Sequence, residues 1–293
     1  MSARASTALW IVLILVFVAA FYWWVLRPTP SRHHRQHIAH ALSPAPGAPA
    51  SPTPGPAATG ARLAIIIDDA GQWLETERGF LALSIPVTLS VLPDVRYTKE
   101  IANEAAAAGK GVMLHLPMEP LSEQNPGPGK ITTKMSDAAI ESQVEADLAD
   151  VPLAGGVNNH EGSKATADSR VMRDVASAIA QHGNLFFVDS LTVGDSVAAS
   201  STRDAGIPTA TRDVFLDNRA DVSYTEAQLR AAAVIARERG AAIAIGHPRP
   251  STLAALRAMI PELEADGIRF VLVRDLVDAS PNVQPPENAP GRR

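Results

Sequence analysis

Arg62-Leu-Ala-Ile-Ile-Ile-Asp-Asp-Ala-Gly71 is a run of apolar, largely β-branched residues that stops at two adjacent carboxylates and a glycine. A continuous apolar run of this kind suits a strand covered on both faces, as in a parallel sheet, and the glycine lets the backbone leave the strand in a conformation closed to other residues. In such sheets function gathers at the C-terminal ends of the strands. Neighbouring side chains on a regular strand point to opposite faces, so Asp68 and Asp69 share one site only where the strand loses its regularity. The competing interpretation of these residues alone is a helix cap plus a solvated carboxylate.

On the C-terminal side of this stretch, short apolar runs alternate with helical patterns as far as Asp278. That alternation marks repeated βα units. Strands are expected at 63–67, 87–92, 111–116, 154–157, 185–188, 241–245 and 269–272, and helices at 101–108, 137–149, 169–181, 225–238 and 252–265. About seven parallel strands with intervening helices imply an α/β fold, a distorted or incomplete (β/α) barrel, with an open doubly wound sheet as the alternative.

On the N-terminal side the composition changes. Residues 8–26 (ALWIVLILVFVAAFYWWVL) are uncharged, long enough to span a bilayer, and end in Tyr22, Trp23 and Trp24. They are expected to form an uncleaved anchor within residues 1–27, since no small-residue cleavage site follows directly. Residues 28–61, rich in Pro, Ala, Ser, Thr and Gly, read as a tether, and residues 279–293 as a polar tail, leaving 62–278 as the folded domain. His33, His34, His37 and His40 belong to a solvated segment near the anchor. Arg4 precedes the span while Arg27, Arg32 and Arg35 follow it, so charge count alone turns the domain towards the cytoplasm. The chain carries a net charge of -5 with scattered Lys and Arg, which argues against nucleic-acid binding, and has no cysteine for disulfides or thiolate chemistry.

Outside the tether the histidines are His115, His160, His182 and His247. His182 precedes Gly183 at a helix end, where an imidazole meets the helix dipole favourably. The other three each lie at or just beyond an expected strand, on the side where Asp68 and Asp69 also lie, and so point to one shared site. Two imidazoles and one carboxylate leave positions open on a metal, the pattern of a catalytic rather than a closed structural zinc. Such a metal acidifies water, a second carboxylate can take the proton, and a histidine opposite can protonate a leaving group.

Six motifs carry a resemblance. Ile67-Asp-Asp69, His115-Leu-Pro-Met-Glu-Pro120, Gly156-Val-Asn-Asn-His-Glu-Gly-Ser163, Val188-Asp-Ser190, Arg212-Asp-Val-Phe-Leu-Asp-Asn218 and Gly246-His-Pro-Arg-Pro250 together resemble the divergent polysaccharide deacetylases over nearly all of residues 62–278. The resemblance implies a distorted (β/α) barrel, a divalent metal, zinc by ligand type, and attachment to the bacterial envelope. It maps the base onto Asp68 and the metal ligands onto Asp69, His115 and His160, with Asp68 and His247 as the catalytic pair. Ordinary polysaccharide deacetylases take two metal histidines from one short motif; here the fourth residue after His115 is Glu119, and the usual Arg-x-Pro-Tyr segment is missing.

Around these residues, Asn159, Asp189, Ser190 and Asp213 are expected to contact a ligand histidine or the substrate. For Asp189 and Ser190 an ordinary capping role weighs equally. Asp217 and Asn218 are expected in a solvated loop, and Lys164 and Arg249, each taken alone, in solvent. The resulting expectation is a single-pass inner-membrane protein with its domain in the periplasm, hydrolysing an N-acetylated envelope carbohydrate. With Trp73 the only indole outside the membrane segment, a short or terminal glycan is the expected substrate. The alternative is a non-catalytic, metal-containing envelope protein that binds a glycan or a protein partner.

Overall fold

The computed structural model describes residues 60–277. The anchor expected at residues 1–27, the tail, and nearly all of the tether lie outside them. Nine strands form one sheet, every pairing parallel: β1 (Arg62–Ala70), β2 (Thr88–Val91), β3 (Gly111–Met118), β4 (Gly156–Glu161), β5 (Phe186–Asp189), β6 (Thr209–Thr211), β7 (Val214–Phe215), β8 (Ala241–Gly246) and β9 (Arg269–Val271). Eight of them follow the order β6-β5-β4-β3-β2-β1-β8-β7, and β9 pairs with the first residues of β1. The sheet is a half-barrel with β6 and β7 as its edges. The helices are α1 (Leu74–Leu81), α2 (Thr98–Ala107), α3 (Asp137–Asp150), α4 (Ser169–His182), α5 (Ala198–Asp204), α6 (Val222–Arg239), α7 (Pro250–Ala265) and α8 (Arg274–Val277).

All seven expected strands are present, with ends that differ by a few residues. β6 and β7 correct the count upwards; at three and two residues they are too short to give a hydrophobic period. Side-chain alternation along the strands divides the core in two. Leu63, Ile65 and Ile67 of β1 join the large cluster under the helices, together with Leu114, Leu116, Phe187 and Ala244. Ala64 and Ile66 turn the other way and pack with Met113, Val188, Ile243, Ile245 and Val271 inside the curve of the sheet, where Leu276 and Val277 of α8 join them. Continuing the inner row past Ile66 brings up Asp68.

Candidate metal centre

The inner row decides which polar residues meet. Asp68 on β1, Ser90 on β2, His115 on β3, Asn158 and His160 on β4, Ser190 just after β5 and His247 just after β8 all continue it at the C-terminal ends of the strands. By the same alternation Asp69 should face the helices. Its φ of 58° reverses that, in a left-handed conformation that aspartate tolerates better than most residues. The pairing records the break: Ile67 pairs with Leu89 and Ala70 with Val91, so β1 spends three residues where β2 spends two. Gly71 follows with φ 110°, and a Cβ there would meet the Val95 side chain at 2.7 Å. The next three backbone amides, Gly71, Gln72 and Trp73, all donate to Oε1 of the buried Glu77, which ties the start of α1 to the aspartate pair.

Asp69, His115 and His160 converge. Asp69 Oδ1 lies 3.2 Å from His115 Nε2 and 2.9 Å from His160 Nδ1, and those two nitrogens are 3.1 Å apart. Despite these short distances, the buried Asp69 Oδ1 has no hydrogen-bond partner among the described residues. Ligand atoms about 2.0–2.2 Å from a tetrahedral cation stand roughly 3.3–3.6 Å apart, so the three atoms need open by only a few tenths of an ångström to accept one. An orphaned carboxylate oxygen facing two imidazole nitrogens is the donor set such an ion requires. Burial works against ionisation of Asp69, but His115 and His160 outweigh it and hold the carboxyl far below the usual range.

Asn158 organises the atoms beneath. Its Nδ2 donates to Asp68 Oδ1 (2.8 Å) and Ser190 Oγ (3.2 Å), while its Oδ1 accepts from Ser90 Oγ and from His115 Nδ1 (2.8 Å). Asp68 as a carboxylate can only accept, which fixes the amide's orientation and makes Nδ1 the protonated nitrogen of His115. In the neutral ring, the form a metal ligand takes, Nε2 is then left with a lone pair towards Asp69 and His160. Burial pushes the Asp68 carboxyl up, against the opposing pull of His115, His247 and Asn158.

His247 stands across the crevice, its Nε2 3.8 Å from Asp69 Oδ2. Its Nδ1 lies 2.9 Å from Asp217 Oδ1, and its backbone amide donates to Asp217 Oδ2, which also accepts from Thr252 Oγ1 at 2.6 Å. Burial disfavours the imidazolium, but Asp217 and then Asp69 outweigh it and the His247 pKa rises.

Several expectations need correction. Asn159 points to the outer face, where it bonds the Glu161 carbonyl and the Ser190 amide; its neighbour Asn158 makes the contacts expected of it. Asp189, also of outer parity, caps the following loop through the Leu191 amide and Ser196 and makes no hydrogen bond to a histidine among the described residues. Ser190 does join the site through Asn158. Asp213 precedes β7 and binds Arg239 and the Ile243 amide, away from the strand ends that carry the site. Asp217 is buried, not solvated, whereas Asn218 is exposed. Glu119, in the place of a second motif histidine, binds Lys164 and both the amide and hydroxyl of Thr133; these outweigh burial and hold its pKa at about 2. It fastens a loop and is no ligand. His182 does end α4, paired with Glu145 at 3.3 Å.

Comparison with known proteins agrees with this architecture. The family model for divergent polysaccharide deacetylases matches residues 65–277. The chain is 37% identical to the Escherichia coli protein YibQ over 78% of its own length and 72% of that protein's, and 37% identical to a Haemophilus influenzae protein over 70% and 73%. A crystal structure of the protein ATU2773 from Agrobacterium tumefaciens superposes with a TM-score of 0.71 at 23% identity, covering 76% of this chain and 92% of that one, and so shares the fold. The chain belongs to the divergent polysaccharide deacetylase family.

Proposed function

We propose that the domain is a zinc-dependent hydrolase that removes the acyl group from an N-acetylated envelope carbohydrate. The observation that carries this is the orphaned Asp69 oxygen between two imidazole nitrogens, with a separately held carboxylate and a separately held histidine on either side of it. Asp69, His115 and His160 would hold the cation, which when bound polarises the amide carbonyl and acidifies water.

The remaining steps belong to side chains. Asp68, held by Asn158 beside the ligand set, takes the proton of the attacking water. His247 keeps Nδ1 on the Asp217 carboxylate and turns Nε2 into the crevice, so as an imidazolium it can deliver the Nε2 proton to the departing nitrogen. Water adds to the acyl carbon, the carbon–nitrogen bond breaks, and carboxylic acid and amine leave. A protein that merely stored a metal and held a glycan would need neither the Asp68–Asn158 pair nor the Asp217–His247 pair. We place a single inner-membrane anchor at the apolar stretch of residues 8–26 and the domain in the periplasm, where a deacetylase of envelope carbohydrate would meet its substrate.

The test is metal analysis of the purified full-length protein together with acetate release from N-acetylated envelope sugars. One zinc per chain is expected, with acetate release that a chelator abolishes and added zinc restores. A metal-free protein, or one that releases no acetate from any such sugar, would refute the assignment.

A further inference from the structure

Several cations of the domain are paired with carboxylates, and others, such as Arg96 and Arg219, are unpaired among the described residues but exposed. Lys164 meets Glu119 at 2.7 Å, Arg170 meets Asp137 and Asp174 at 3.0 and 3.2 Å, and Arg78 meets Glu100 and Glu104. Arg212 and Arg249, from the segments after β6 and β8, have no carboxylate oxygen within 4.0 Å among the described residues. Both are nevertheless half-buried. Withdrawing a guanidinium from water without a counter-anion is unfavourable, so the fold must hold each in place for another reason.

The holding contacts go to carbonyls. Arg212 Nε donates to Ser190 O (2.7 Å) and Nη2 to Leu191 O (3.0 Å), and Arg249 Nη1 donates to Asp217 O. Each guanidinium has five N–H donors, so most of them find no protein acceptor among the described residues. Leu191 is held with φ 50° and an exposed side chain, an unfavourable conformation for a bulky residue, and its carbonyl is one of those that fix Arg212. Position completes the case. The Phe215 ring lies 5.1 Å from the Arg212 guanidinium and 5.3 Å from the His247 ring, and Arg249 bonds the residue that holds His247. Burial lowers the Arg212 pKa; Asp68, Asp189 and Asp213 lie near enough to oppose that but too far to pair with it.

We propose that Arg212 and Arg249 form an anion subsite beside His247, and that the substrate is an N-acylated sugar bearing a carboxylate near its amide. The planar guanidinium fork is suited to a carboxylate. The inference rests on the hydrolase assignment for the amide and on the arginine geometry for the charge. A rival role, holding Asp68 ionised, is separated by working in an Asp68→Asn background.

Full-length, zinc-loaded Asp68→Asn protein is titrated calorimetrically with N-acetylmuramic acid and with N-acetylglucosamine, which share the acetamide and differ by one carboxylate-bearing ether. The acidic sugar is expected to bind about 10- to 100-fold more tightly, as a charge-assisted hydrogen bond would give. Adding Arg212→Gln or, separately, Arg249→Gln should cut that preference about tenfold with zinc content unchanged; the second variant serves if the first does not fold. Equal affinities in the parent, a preference surviving both substitutions, or binding of neither sugar would overturn the subsite. Acetate release is scored independently on the wild type. Charge preference without acetate release leaves the subsite standing and removes the hydrolase assignment; acetate release from both sugars with equal affinity does the reverse.

Discussion

On the β1 to β4 side of the crevice, charged side chains are matched inside the protein: Glu119 with Lys164, and Asp69 with the two imidazoles that would share a cation with it. On the β6 to β8 side, Arg212 and Arg249 donate to carbonyls and have no carboxylate oxygen within 4.0 Å among the described residues. A matched wall is complete once its ion is bound; an unmatched wall is complete only with substrate. In the proposed enzyme the first would govern metal content, the arginines of the second would govern which molecule enters, and His247, held by Asp217 between them, would serve the chemistry.

The sharpest way to break this division is the aspartate pair. Asp69→Asn should release zinc, because a neutral amide is a poor replacement for an anionic ligand, while Asp68→Asn should keep zinc and lose about 100- to 10,000-fold in turnover. Zinc content and acetate release on the same two preparations check this, with His182→Ala as a variant expected to change neither. If Asp68→Asn kept full activity with zinc bound, Asp68 would not be the base.

Asp217→Asn probes the junction of the two walls. Because Asp217 raises the His247 pKa, its loss should lower that pKa, so the imidazolium needed as proton donor vanishes at lower pH. The alkaline limb of the kcat profile should move towards acid, with a roughly 10- to 100-fold loss near neutrality and zinc retained. An unmoved limb would remove His247 from proton transfer.

The smallest effect is expected behind the matched wall, on α3. Asp147 breaks that wall's pattern: buried, with Oδ2 unpartnered, its pKa is raised from 3.8 to about 7 by burial, against the Gln143 hydrogen bond and with Asp150 and Asp94 adding to the rise. A folded-state pKa above the unfolded one gives stability that is full below about 4 and is lost as pH climbs towards 7. Asp147→Asn should therefore match the wild type in acid and exceed it at pH 8, by on the order of 1 kcal/mol once hydration is allowed for. Thermal unfolding at both pH values measures it; a constant difference between the two proteins would show that Asp147 ionises normally.

Most of the sheet could be read from the chain because long strands buried on both faces write their own period, as Leu63 to Ile67 do. β6 and β7 could not, since two or three residues carry none. For the site, the five residues at strand ends were legible from position and type. Alternation was available to go further: counting from Asp68 and His115, it selects Asn158 over Asn159 and Ser190 over Asp189. Asp217 and Arg212 were less accessible, because each depends on a loop crossing between the edges of an incomplete barrel. The left-handed turn at Asp69 is visible only as a demand that both aspartates serve one site.

The pairing of β9 with the start of β1 has a consequence for the order of events during synthesis. Arg62–Ala64 wait for Arg269–Val271, more than two hundred residues later, and the inner core waits for Leu276 and Val277. Nearly the whole domain must therefore leave the ribosome before its first strand is covered on that edge. Until then a strongly apolar β-strand has bare amides and carbonyls, the condition under which chains add to one another. A chain that stops short of Arg269 is for that reason expected to be a substrate for chaperones and proteases, even with all five strand-end residues of the site already made.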